Sequence, residues 1–409
     1  ETARQEQADR PYAPGKGCAV GDMRFRVFEF PRNCAGFLRA EIRCAAPARV
    51  HFVFDEILSG GDVSVTRYEC ANVVTYDLTE EGTYRVESFE PYVLKYLKVI
   101  VTGGTCEFYG ISLREYVSPA MERAAFASSD KALDRIFEAA RETLKQNAVD
   151  VMSDCPGRER AGWLCDSFFT ARACADFSGG TVLEKLFFQN YLLAENYRDL
   201  PEGMLPMCYP ADHDNGNYIP NYAMWFVLQL EEYLSRGGDR AMADALKPRV
   251  LALVKFFEKY RNADGLLEKL PAWVFIEWSM ANSLTQDVNY PSNMTYAGML
   301  SAAARMYGMP GLEIEAEKVR ETVRRQSFDG SFFVDNAVRQ PDGTLKLSGE
   351  RTEVCQYYAF YFRTATPESH PRLWETLRRD FGPDRKRAGK HPAIHPANAM
   401  IGLPMRLEL

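Results

Sequence analysis

The sequence has little of what marks several large classes of protein. It contains no run of about 18 apolar residues, so we expect no membrane-spanning helix. A formal net charge of −7 and the lack of a basic stripe with interleaved aromatic residues argue against a nucleic-acid partner. The first residues, Glu1–Glu6, do not resemble a signal peptide, and the chain does not begin with Met. What remains is an ordinary globular composition, 46% hydrophobic and 26% charged, with a length that suits two or three domains.

Metal ligands and disulfide patterns are also scarce. Ten cysteines in 409 residues are too few for a disulfide scaffold, and no C-x-x-C pair suggests zinc. Cys155 and Cys165 have no histidine nearby in the sequence with which to form a nucleophilic pair. His391 and His395 have a spacing found in metal sites, but prolines follow both and no partner ligands are evident. We therefore predict neither a metal nor a cofactor.

The most informative segment is residues 154–166, DCPGRERAGWLCD. It places three carboxylates, Asp154, Glu159 and Asp166, beside arginines and a tryptophan. Proline and glycine at positions 156 and 157 favour a turn in its first half. A helical pattern begins near Asp166, which places this residue in the first turn of a helix or at its cap, and a plain N-cap role is one interpretation.

Glu159 is the candidate for acid chemistry. It lies between Arg158 and Arg160, so nearby aspartates would raise its pKa while the arginines would lower it. A proton donor needs such a tunable setting, and Trp163 offers an apolar wall and a flat face for a sugar ring. The pattern favours sugar chemistry, and the alternative is a structural network of ion pairs around the turn.

The pattern D-C-P-x-R-E-R-x-G-W-x-x-D resembles the signature of the α-L-rhamnosidase family of inverting glycoside hydrolases, whose catalytic domain is an (α/α)6 barrel. Segments 352–358 and 396–399 are similar to later family segments, so the resemblance covers about 290 residues from near Ser118. It implies that Glu159 is the general acid. It also implies four residues lining the pocket for the terminal sugar: Asp154, Arg158, Trp163 and Asp166.

The general base that inversion requires is not located by the sequence. Glu277, beside Trp278, is a possible pocket residue and only a weak candidate for the base, because the resemblance matches this pair to an earlier family segment that borders the sugar. Further candidate sugar contacts are Asp214 and Tyr218 around the loop at 204–217, with an exposed polar loop as the alternative. Trp273 and Trp278 lie in an aromatic segment and serve either as a pocket wall or as filling of the interior.

The period of the sequence changes near residue 118. Residues 1–20 are interpreted as an extended lead-in. Residues 21–117 alternate in short segments that predict the strands of an antiparallel β-sandwich, with turns such as Glu81-Gly82 between several of them. The predicted strands are residues 24–30, 36–42, 50–54, 73–78, 96–101 and 107–113. Ser128-Ser129-Asp130 predicts the N-cap of a first helix. Residues 118–409 show ten helical segments, which nearly complete the twelve of an (α/α)6 toroid. We therefore expect the native chain to continue beyond Leu409. Residues 332–347, with a turn at Asp342-Gly343, predict a β-hairpin between helices.

Taken with the resemblance, these features predict a glycosidase that removes terminal α-L-rhamnosyl residues from glycosides or polysaccharides by an inverting acid/base mechanism. The rivals are a glycosidase of the same fold acting on another sugar, and a non-catalytic sugar-binding protein that lacks the base. We expect a carbohydrate as partner, and a location in the cytoplasm or periplasm of a bacterium.

Overall fold

The computed structural model describes residues 4–5, 15–194, 196–211 and 216–409. By packing, the chain divides into two units. The first contains the residues up to Ala161 together with Asp176–Gly179, and the second contains Gly162–Ala175 and Gly180–Leu409. Each unit has its own secondary structure and core.

The first unit is built on an eight-stranded sheet that is antiparallel apart from the pairing of β1 with β3. Its main path runs in the order β2-β8-β3-β7-β4-β5, and β6 pairs with the end of β3. The strands are β1 (Arg4–Gln5), β2 (Cys18–Val20), β3 (Arg24–Cys44), β4 (Ala48–Asp55), β5 (Val73–Leu78), β6 (Gly82–Glu87), β7 (Tyr92–Thr102) and β8 (Cys106–Glu115).

Alternation of apolar residues along these strands creates the core of the sheet. Val20, Leu38, Val50, Leu97 and Phe108 are fully buried, as expected when every second side chain points to the same face. Helix α1 (Lys131–Asn147) also belongs to this unit. Its N-cap is Asp130, whose side chain accepts a hydrogen bond from the Ala132 N–H at 2.8 Å.

The sheet differs from the sequence prediction in three places. Two segments expected as separate strands form the single strand β3, whose register shifts between Glu29 and Cys34, around Pro31. The shift leaves proline, which has no N–H to donate, outside the regular ladder. Strand β6 was missed because Gly82 was taken as part of a turn. Strands β1 and β2 lie within residues 1–20, which the sequence analysis interpreted as an extended lead-in without assigning strands there.

The remaining elements are mostly helices and cover residues 164 to 408. They are α2 (Leu164–Ser178), α3 (Val182–Leu193), α4 (Pro220–Ser235), α5 (Arg240–Glu258), α6 (Met280–Ser283), α7 (Tyr290–Tyr307), α8 (Pro310–Ser327), α9 (Glu353–Tyr361), α10 (Pro371–Asp380) and α11 (Gly402–Glu408), with short strands β9 (Val288–Asn289), β10 (Asn336–Arg339) and β11 (Leu345–Leu347). The predicted β-hairpin is confirmed, since β10 and β11 are antiparallel. Across the described ranges, no helix is both long and apolar enough to cross a membrane.

The core of the second unit forms around α4 and α7, which are buried along most of their lengths. Trp225 of α4 is 1% exposed and packs its ring against Phe168, Tyr358 and Phe362. Gly298 of α7 lies so close to Phe362 that an added Cβ would fall 2.4 Å from its ring. This dense aromatic core holds the loops that carry the candidate site residues of the second unit.

Candidate active site

In the first unit, the loop of residues 154–161 is closed by Asp154. Its backbone N–H donates to the Ala161 carbonyl at 3.1 Å, and its carboxylate Oδ1 accepts from the Ala161 N–H at 3.1 Å. Gly157 packs closely within the loop, because an added Cβ would lie 3.0 Å from the Val93 side chain. The carboxylate that the sequence suggested as a sugar contact therefore also fixes the ends of the loop.

Glu159 lies on this loop with 19% of its side chain exposed. Its carboxylate pairs with the guanidinium of Arg158, which is half exposed. Arg160, on the other side, does not share this contact and instead pairs with Glu90 at 2.7 Å. The two arginines thus have separate partners, and Glu159 is not enclosed between both guanidinium groups.

The two cysteines next to these residues do not offer a nucleophile. Burial raises the pKa of the Cys155 thiol, and a hydrogen bond with Asp154 raises it further. The Cys165 thiol is fully buried and its pKa is raised strongly by that burial. A thiol in such surroundings stays protonated near neutral pH, so covalent cysteine catalysis is disfavoured.

In the second unit, Trp163 and Asp166 face the same tyrosine. The Trp163 ring meets Tyr222 edge to face at 6.1 Å between centroids. Burial raises the pKa of Tyr222 strongly, and the negative charge and a hydrogen bond of Asp166 raise it further. Asp166 lies in the first turn of α2, one of the two positions that the sequence suggested. A carboxylate, a phenol and an indole therefore converge here, and these groups are suited to sugar hydroxyls and a sugar face.

A series of aromatic ring contacts runs from the buried Tyr222 and Phe275 to two exposed tryptophans. Tyr222 and Phe275 are 5.3 Å apart, and Phe275 lies 5.4 Å from Trp273 and 4.9 Å from Trp278. Trp273 is 40% exposed and Trp278 is 55% exposed, so both rings are available to a ligand. We call the set Trp163, Tyr222, Trp273, Phe275 and Trp278 the aromatic cluster. Sequence reasoning missed Phe275, which looks like an ordinary core residue in the sequence.

Tyr218 and Glu277 are buried, unlike Trp273 and Trp278. Tyr218 is 6% exposed, and its backbone carbonyl accepts a hydrogen bond from the backbone N–H of Trp273 at 3.3 Å. Glu277 is fully buried, and its Oε1 accepts from the Gly402 N–H at 2.8 Å. Burial raises the pKa of Glu277 to about 7. Both residues support the loop from inside the second unit.

The remaining candidates are not brought into these groups. Asp214 lies outside the described residues. His391 contacts Asp380 at 3.1 Å and His395 contacts Glu350 at 3.2 Å, so each histidine has its own carboxylate partner. In the part of the chain that the structure covers, no group of three or more potential metal ligands is found.

Comparison with known proteins identifies the family. The model of the bacterial α-L-rhamnosidase six-hairpin glycosidase domain matches residues 121–365, which is more than half of the chain and includes the 154–166 segment. The chain therefore belongs to this family.

Individual relatives agree with this assignment. The chain is 23% identical over 338 residues to an α-L-rhamnosidase of Formosa agariphila, a match that covers 75% of this chain and 32% of that protein. The fold is similar to a family 78 rhamnosidase of Bacillus sp. GL1, with a TM-score of 0.79, 20% identity and coverage of 94% of this chain and 39% of the other. A rhamnosidase from Klebsiella oxytoca, solved with rhamnose bound, gives a TM-score of 0.72 at 21% identity, over 89% of this chain and 72% of that one. The chain thus spans about a third of the length of the Formosa protein and two fifths of the Bacillus one.

Proposed function

We propose that this chain forms part of an α-L-rhamnosidase that removes terminal α-L-rhamnosyl residues from glycosides or polysaccharides with inversion. The main support for the proposal is that the motif of residues 154–166, which contains Asp154, Glu159 and Asp166, lies inside the segment that matches the family model. Its glutamate is partly exposed on a closed loop, as a proton donor to an external substrate must be.

Glu159 is proposed as the general acid. In its protonated form it would transfer its proton to the glycosidic oxygen while the bond from that oxygen to the anomeric carbon breaks. A water molecule would attack the same carbon from the opposite face and give its proton to a general base. The contact with Arg158 keeps the carboxylate oriented between turnovers, and Asp154 keeps the loop closed around it.

The aromatic cluster is proposed to hold the sugar ring. Trp163 and Trp278 supply flat apolar faces, and the half-buried Asp166 supplies carboxylate oxygens that accept hydrogen bonds beside Trp163. A pyranose presents an apolar face and several hydroxyls, which this combination of groups matches. Arg158 is a further proposed contact, since half of its side chain is exposed.

Glu277 is a poor general base in this arrangement. A base must reach a water molecule, whereas the Glu277 carboxylate is fully buried beneath the 397–402 segment. A Cβ added at Gly402 would fall 2.3 Å from Glu277 Oε1, which shows how closely this segment covers it. We infer that another carboxylate activates the water.

Several finer features belong to the same proposal. The sheet is proposed to form a β-sandwich over residues 21–117, and the helices of residues 118–409 are proposed to be arranged as in an (α/α)6 barrel. We propose a location in the cytoplasm or periplasm of a bacterium, with a carbohydrate as the partner.

A panel of nitrophenyl glycosides tests the function. Release of nitrophenol from the α-L-rhamnoside, with little from other α- and β-glycosides, is the expected result. Release from a different glycoside would favour the same fold acting on another sugar. Rhamnose binding without any turnover would favour a sugar-binding protein, and anomer-resolved NMR of the released sugar would test inversion.

A further inference from the structure

A second cleft adjoins the aromatic cluster within the helical unit. Its volume is about 320 Å³, at the lower end of the range for small-ligand sites. One of its walls is Trp273, which also belongs to the aromatic cluster. The polar side chains that line it are Lys269, Asn282, Thr285, Gln286, Asp287, Asn289 and Ser292.

The chemistry of this lining matches a neutral sugar. One indole wall faces amide, hydroxyl, ammonium and carboxylate groups, a set that can both donate hydrogen bonds to sugar hydroxyls and accept them. The single cation, Lys269, is offset by the single anion, Asp287. The neighbouring Glu268 is matched by Arg339 at 2.9 Å. A lining without net charge disfavours phosphorylated or polyanionic ligands.

The cleft is held in shape by its backbone. The Lys269 N–H donates to the Asp287 carbonyl at 2.6 Å, and Asp287 Oδ2 accepts from the Arg339 N–H at 2.8 Å. Lys269 and Ala272 have φ angles of +54° and +60°, a left-handed conformation that is costly for residues other than glycine. Such strain persists only where surrounding contacts fix it, and it is concentrated at ligand sites.

Two of the polar side chains that line the cleft are not used in bonds within the described part of the protein. In the described ranges, neither the Lys269 ammonium nor the Gln286 side-chain amide forms a hydrogen bond or ion pair, although both line the cleft. Asn282 and Thr285, by contrast, are used internally, with Asn282 Oδ1 accepting from the Ile276 N–H and Thr285 donating to the Asn282 carbonyl.

We propose that this cleft binds a second, neutral pyranose residue of the substrate, next to the terminal sugar that the aromatic cluster holds. This inference rests on the proposed function and deepens it. The substrate class becomes an oligosaccharide or polysaccharide end, since the aryl group of a simple aryl glycoside carries no hydroxyls for the polar side chains of the cleft to bind. Lys269 and Gln286 donate to hydroxyls of this second ring.

The test is the double variant Lys269→Ala/Gln286→Ala in the full chain, with two substrates, nitrophenyl α-L-rhamnoside and a rhamnosyl-glucose disaccharide. Loss of two hydrogen bonds should lower kcat/KM for the disaccharide about 5- to 100-fold, mainly through KM. The nitrophenyl substrate should be turned over as before. The control variant Lys318→Ala removes an exposed lysine of α8 that does not line the cleft, and it should change neither substrate.

Calorimetric binding separates the two proposals. With Glu159→Gln present in every sample to prevent hydrolysis, the chain should bind the disaccharide more tightly than rhamnose, and addition of Lys269→Ala/Gln286→Ala should abolish this preference while keeping the affinity for rhamnose. An unchanged preference, or equal losses for rhamnose and the disaccharide, would overturn the second subsite. If the wild type turns over neither substrate, the proposed hydrolase function is wrong. The preference for the disaccharide over rhamnose in the binding measurement would still show whether the cleft is a second sugar subsite.

Discussion

Arg160 and Glu90 form an ion pair of 2.7 Å across 70 residues of sequence, and it ties the acid loop to the sheet of the first unit. The same guanidinium donates to the Pro91 carbonyl at 3.2 Å. Arg160 itself has a φ of +54°, so the residue next to Glu159 is held in a left-handed conformation. These contacts fix the backbone that presents the proposed acid.

Arg160→Ala should therefore lower turnover more than stability. Exposed ion pairs of this kind contribute about 0.2–1 kcal/mol to folding, whereas a small displacement of an acid can cost up to about 100-fold in rate. We expect kcat for nitrophenyl α-L-rhamnoside to fall while the denaturant midpoint hardly moves. Arg49→Ala is the matched control, because it removes an exposed sheet arginine paired with Asp77. Equal kcat losses in both variants would show that Arg160 has no special positioning role.

Glu159→Gln should abolish the proton transfer and spare the fold. General acids contribute about 10²- to 10⁴-fold, so a rhamnoside with an alkyl leaving group should lose activity on that scale. A nitrophenyl rhamnoside should lose less, because its leaving group needs less protonation. Steady-state rates for the two substrates measure this difference, with Glu138→Gln on α1 as an exposed control. A large loss of melting temperature with equal rate losses would make Glu159 a structural residue.

Local features of the fold could be predicted from the sequence. Asp342-Gly343 marked the hairpin turn correctly because a short-range signal determines it, and the Gly343 N–H bonds to the Gln340 carbonyl at 2.9 Å. The cap at Asp130 was visible for the same reason. Strand β6 was missed because it begins with Gly82, a residue type that also suits a turn.

The surroundings of the site could be predicted only in part. The motif singled out Glu159, Trp163 and Asp166, since their chemistry is contained in thirteen residues. Arg160 pairs with Glu90, which lies 70 residues away in the sequence. Glu277 is covered by Gly402, which lies 125 residues away. Such contacts depend on tertiary packing, which periodicity and residue type do not encode.

Trp278→Ala should weaken sugar binding without unfolding the chain. The ring is 55% exposed, so little buried area is lost, and the bond from the Asn398 side chain to the Trp278 carbonyl does not need the indole. Loss of an aromatic face should raise the Kd for rhamnose about 2- to 10-fold. Titration calorimetry measures this, and Phe89→Ala, which removes a ring that is 97% exposed in the first unit, is the control. Unchanged affinity for rhamnose would remove Trp278 from the proposed site.

Glu277→Gln should change how stability depends on pH. Burial raises the pKa of Glu277 to about 7, above its usual value of 4.5, so the folded state holds this proton where the unfolded state has lost it. The resulting stabilisation is full below about pH 4.5 and is lost as the pH rises towards 7, by an amount on the order of 3 kcal/mol. The glutamine variant lacks this term, so its free energy of unfolding should fall less than that of the wild type over this range. Urea unfolding at pH 4.5 and 7.5 measures the difference, with Glu258→Gln as an exposed control. Parallel curves for wild type and variant would mean that Glu277 is already ionised in the folded chain, and that its carboxylate is more open to water than its burial indicates.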